Sequence, residues 1–173
     1  MSDKTNSHDI REKQLENAYK MAEENEINCT GCAQTTIAAI LDVLEIESDD
    51  AFKAASGLAD GIGLTGDGSC GALVGGAMAL GLVFGRERKD FKNPMAAMKS
   101  YLLSKELHHD FIQKYGTCRC HDIQTKLMGR TFNLYDKNDM KEAGKLGMMA
   151  HCSKVVGNSA RKTIEIILNE KNS

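Results

Sequence analysis

The segment Cys70–Gly85, CGALVGGAMALGLVFG, carries no charge and consists almost wholly of small and aliphatic residues. It is shorter than the roughly 20 apolar residues that a transmembrane helix requires. Wound as a helix it is apolar all round, so it must be enclosed by other helices, within the monomer or at a homodimer interface. Its glycines and alanines allow those neighbours to approach closely.

The remaining chain supplies candidate neighbours. Ala33, Ile37, Ile40, Leu41 and Leu44 recur at helical spacing and mark an amphipathic helix starting near Gly31. Leu15, Ala18, Met21 and Ala22 mark a weaker one before it, and a helix is expected within 49–59. Asn93-Pro94 is a capping side chain followed by a preset φ, and Leu103, Leu107, Phe111 and Tyr115 carry that helix to Gly116. A short helix from about Cys120 to Gly129 and a last one through Val156, Ala160, Thr163, Ile164 and Ile167 complete the set. Alternating strand patterns are missing, and one Pro, no Trp and few aromatics argue against a small sandwich or barrel. The expected fold is all-α, a single-domain helical bundle around a buried Gly-rich central helix. A chain of 173 residues suits one domain. It buries enough surface to need no disulfide framework. Along it, 1–27 reads as a polar lead with an amphipathic helix and 28–173 as the cysteine-bearing domain.

Lys and Arg number 22 against 24 Asp and Glu, a net charge of −2, which removes nucleic acid as an expected partner. The opening MSDKTNSHDIREKQL has no apolar core of a secretory signal, so the expected location is the cytoplasm, with no membrane span. In that reducing compartment six cysteines read as metal ligands or redox thiols rather than structural bridges.

Cys29 and Cys32 form CTGC, Cys118 and Cys120 form CRC, and Cys70 and Cys152 stand alone. Cys32, Cys70, Cys120 and Cys152 each open an expected helix, where unpaired N–H groups and the helix dipole favour a thiolate. A thiolate both ligates metal and attacks disulfides, so cluster or metal binding and thiol exchange are both open. The plain alternative is a cysteine serving as a small core hydrophobe. A CxxC and a CxC brought together would make a tetrahedral zinc site. Ferredoxin-type runs are absent, so any iron–sulfur cluster needs dispersed ligands. Haem c is disfavoured because no CxxCH occurs. Gly61–Gly66, GIGLTG, satisfies GxGxxG, but a helical pattern precedes it, so NAD is not expected and a flexible connector to Cys70 is the plainer reading. His108 and His109 are expected to face solvent, and His121 and His151 adjoin Cys120 and Cys152.

The order and spacing of these segments resemble the C_GCAxxG_C_C family of redox-active proteins from about Asn28 to Leu168. CGALVGG matches the CGAxxG motif, and GCAQTT resembles the NCAQ segment with Gly31 where Asn is usual. CHDIQTKLMGR resembles the C-x-D-I-Q stretch, and HCSKVVGNSA the terminal Cys-x-x-Val-Val segment. The resemblance implies that the four family cysteines are Cys32, Cys70, Cys120 and Cys152, with Cys29 and Cys118 additional. Split-Soret cytochromes look like this domain joined to haem-binding sequence and are associated with an iron–sulfur centre; that haem-binding part has no counterpart here. The expectation is an electron-transfer protein, rather than an enzyme with its own substrate, holding an iron–sulfur cluster through those four cysteines and serving a redox partner protein. A metal-free thiol–disulfide oxidoreductase and a structural zinc protein are the alternatives.

Overall fold

The computed structural model describes the backbone of residues 2–171 and side chains from Asp9 onward; Met1, at the head of the expected polar lead, and the last two residues of the expected 28–173 domain lie outside the described residues. Eight α-helices occur among the described residues: α1 (Ser2–Cys29), α2 (Cys32–Leu44), α3 (Asp49–Ala54), α4 (Gly71–Phe84), α5 (Met98–Tyr115), α6 (Cys120–Met128), α7 (Lys137–Lys145) and α8 (Met148–Lys171). The chain folds as a single all-α domain. None of these helices is long and apolar enough to cross a membrane.

Local chemistry fixes the helix ends. Gly31 takes a left-handed conformation (φ 92°) and its carbonyl accepts the Thr35 N–H at 3.0 Å, starting α2. The Asn93 side chain accepts the Met95 N–H at 3.1 Å, and Pro94 begins the 3₁₀ turn that feeds α5. Gly116 and Gly129 close α5 and α6 in left-handed conformations, as their positions in the sequence suggest.

α4 lies at the centre, against α2, α5 and α8. Its glycines set the interhelix distances. A Cβ on Gly75 would lie 2.5 Å from the Ala33 carbonyl oxygen, and one on Gly76 would lie 2.5 Å from Thr163 Oγ1. α2 and α8 thus ride almost on the α4 backbone. The enclosure is incomplete at one end, because Gly81 and Leu82 are exposed. α1, the weakest of the sequence signals, is the longest helix. It packs on α8 and α2 with Leu15, Ala18 and Ala22 buried in the main core. α7 carries too few apolar residues to announce itself by periodicity, and its clearest sequence mark is Asp136, whose side chain caps the Asn138 and Asp139 N–H groups.

A cysteine-lined cavity as the candidate functional site

Cys32 is the first residue of α2, Cys70 the N-cap of α4 and Cys120 the first residue of α6. Cys152 departs from the expectation. α8 begins at Met148, so Cys152 is its fifth residue, past the first turn where the dipole acts. All four nonetheless line one cavity of about 400 Å³, a volume within the range of small-molecule and cofactor sites. Cys29 and Cys118 do not line it. Cys29 is exposed at the C-terminal end of α1, and Cys118 packs against the main core.

The stretch 59–70 brings two of the thiols together, and it is not the loose connector its glycines suggest. The Cys70 N–H donates to the Cys118 carbonyl at 2.7 Å, and the Cys120 and His121 N–H groups donate to the Gly68 and Gly66 carbonyls at 3.0 and 2.9 Å. This short antiparallel pairing clamps the start of α4 beside the start of α6. Glycine is favoured at Gly66, whose φ of 71° is left-handed and where a Cβ would run into the His121 ring. Just upstream, Asp60, Gly61, Ile62, Gly63 and Leu64 all have positive φ. The non-glycine residues of that turn cost roughly 1–2 kcal/mol each, so the surrounding bonds must hold it in shape. Its first member is Asp60, whose side chain enters the site.

Asp60 connects three elements. Its N–H donates to Cys32 Sγ at 3.3 Å, and its Oδ1 accepts the Cys120 thiol at 2.8 Å and the Gln124 amide at 2.6 Å. Asp60 Oδ2 and Gln124 Oε1 are buried with no hydrogen-bond partner. A second acid, Glu26 of α1, lines the same cavity and accepts the Thr35 hydroxyl at 2.6 Å. Neither acid nor Gln124 was among the expected site residues. Gln124 sits in the D-I-Q stretch, and Glu26 falls on the Leu15, Ala18, Ala22 stripe of α1, where a charge on an apolar face is the readable signal. For Asp60 the sequence holds no comparable mark.

No Lys, Arg or His lines the cavity, and its electrostatics overturn the expectation of thiolates. Burial pushes the Cys70 thiol up to about 12, against the pull of the Ala72 and Leu73 N–H groups, and Cys152 adds to the rise. Burial likewise raises Cys32, Cys120 and Cys152, with the neighbouring cysteines and acids reinforcing it. The dipole effect, worth about 0.3–1 kcal/mol at such positions, loses to desolvation. Without a cation the four stay thiols.

The far wall of the cavity comes from the segment 129–149, including Leu134, Met140, Ala143, Met148 and Met149. Phe132, Ala143 and Met148 form a small core of their own, to which Cys152 adds from α8. The Tyr135 hydroxyl donates to the Gly63 carbonyl at 3.0 Å, fastening this wall to the 59–70 stretch. Among the described residues no three Cys, His, Asp or Glu side chains converge tightly enough for a single metal ion. His108 and His109 are exposed, as expected, and the His121 and His151 rings do not line the cavity.

No match was found among the curated proteins or among the solved structures. Residues 30–166, which contain the four cavity cysteines, match the family described as putative redox-active protein (C_GCAxxG_C_C). That span covers most of the chain, and the protein belongs to this family.

Proposed function

We propose that this redox-active protein transfers electrons and holds an iron–sulfur cluster on Cys32, Cys70, Cys120 and Cys152. The observation that carries the reading is the joint lining of one cavity by these four thiols, while Cys29 and Cys118 stay outside it. The donor set fits. Four thiols, two buried and two half-buried, and two buried acids line a cavity with no cationic side chain in its wall, so the thiols ionise readily only when positive charge enters, and metal coordination deprotonates a thiol outright. When bound, the cluster would supply one-electron chemistry at a potential set by its type, its hydrogen bonds and its exposure.

The chain's own residues define the surroundings. The Asp60 N–H is aimed at Cys32 Sγ and the Gln124 amide lies 3.6 Å from Cys120 Sγ, so both sulfurs have donors to stabilise their charge. Leu134, Met140, Ala143, Met148 and Met149 give the cavity an apolar wall opposite the thiols. A structural zinc site would draw on the same thiols, with sulfur at about 2.3 Å from the metal, and metal content separates it from a cluster.

Thiol alkylation tests the reading against its metal-free rival. In reduced, metal-free protein at mildly acidic pH, Cys29 is expected to react first, while the buried Cys70 and Cys120 react far more slowly. Loading with iron and sulfide is expected to protect all four cavity thiols and leave Cys29 reactive. A cavity cysteine reacting faster than Cys29 in metal-free protein would instead identify a thiol–disulfide oxidoreductase.

A further inference from the structure

Glu26 is the acid of the cavity that no sulfur ties down. Its carboxylate accepts from Thr35 Oγ1 and from no thiol, whereas Asp60 is bonded directly to Cys120. The residue is 3% exposed. Its backbone carbonyl accepts the Thr30 N–H at 3.2 Å, and the exposed Thr30 borders the same cavity, which places Glu26 one helical turn from an exposed residue of the cavity wall. The titratable groups facing it are Cys32 of α2, Asp60 of the 59–70 stretch and Cys152 of α8, and none of them is cationic.

We propose that Glu26 is the proton-exchanging residue of the cavity: when an external one-electron donor delivers an electron, the Glu26 carboxylate takes one proton from solvent, and it returns that proton when the electron leaves. The inference rests on the reading above, since it needs a bound redox centre. In each reduction the donor loses one electron, one O–H bond forms at Glu26, and the net charge of the cavity does not change.

The physical reason is the cost of a further negative charge beside a carboxylate where the local dielectric is low and no cation compensates. Burial already lifts the Glu26 carboxyl to about 7, Asp60 pushes the same way, and the Thr35 hydroxyl opposes both by stabilising the carboxylate. The acid therefore changes state near neutral pH. Added charge raises it further, so between the pH at which it titrates in the oxidised and in the reduced protein, one proton accompanies each electron.

The test compares wild type with Glu26→Gln, which keeps the size of the side chain and a partner for Thr35. Both are reconstituted with iron and sulfide, bound iron is measured, and the midpoint potential is followed from about pH 6 to about pH 9. In wild type the potential is expected to fall with rising pH towards about 59 mV for each tenfold drop in proton concentration, the value for one proton per electron. In Glu26→Gln it is expected to stay flat. Thr35→Val removes the hydroxyl that favours the carboxylate, so it is expected to move the onset of the slope to higher pH. A flat potential in iron-loaded wild type, or a slope that survives Glu26→Gln, would overturn this inference alone. Absence of bound iron in both proteins would overturn it together with the ligand reading.

Discussion

Single serine substitutions at Cys32, Cys70, Cys120 and Cys152 are expected to strip most of the iron from the reconstituted protein, while Cys29→Ser and Cys118→Ser are expected to retain it. Replacing even a residue that only supports a metal ligand commonly costs about 10- to 100-fold in affinity, so loss of a ligand should cost at least tenfold. The two spared positions are spared for different reasons. Cys29 is exposed at the C-terminal end of α1 and lies outside the cavity. Cys118 contributes its carbonyl to the Cys70 N–H, and a serine leaves that backbone bond in place. Iron per chain and the visible spectrum of all six variants decide the matter. Iron lost in Cys29→Ser or Cys118→Ser but kept in Cys32→Ser or Cys120→Ser would refute the assignment.

Gly75→Val is expected to be strongly destabilising. Any side chain there meets the Ala33 carbonyl oxygen at 2.5 Å and Thr36 Cβ at 3.0 Å, both on α2. A backbone oxygen cannot swing aside as a side chain can. Gly75→Val must therefore separate α2 from α4, and the expected loss is at the top of the range of about 1–3 kcal/mol for an overpacked core, or above it. Gly81 of the same helix is the matched control, because a Cβ there meets nothing within 4 Å. Gly81→Ala is expected to be neutral or stabilising by about 0.5–1 kcal/mol, since alanine loses less entropy in a helix. Urea unfolding of both variants measures the contrast. A Gly75→Val protein as stable as wild type would show that α4 is not packed this closely.

These two cases also mark what the sequence makes legible. The uncharged, glycine-rich run of α4 demands enclosure by helices, and Gly31, Asn93-Pro94, Gly116 and Gly129 mark helix ends through local chemistry that survives without tertiary context. α7 was hidden because its stability comes from an aspartate cap and a few contacts with α8 rather than from a broad apolar face. At the site, the spacing and identity of the cysteines were readable, but their charge state was not. Helix-start position is a local property and favours thiolates, whereas burial among other thiols and acids arises only on folding and dominates. Asp60 reaches Cys120, sixty residues away, through a turn of five consecutive positive φ values, a geometry that only the assembled loop imposes. Glu26 was visible in outline as a charge on an apolar stripe, but its place beside Cys32 and Cys152 depends on how α1 crosses α2 and α8.

Whether the cysteine cavity holds an iron–sulfur cluster is decided by the iron and acid-labile sulfide content of wild-type protein purified and reconstituted under anaerobic conditions. A brown protein that retains iron and sulfide in equal numbers after desalting is expected, as either a [2Fe–2S] or a [4Fe–4S] centre requires. A colourless protein that retains zinc, or one that retains no metal at all, would contradict the cluster assignment.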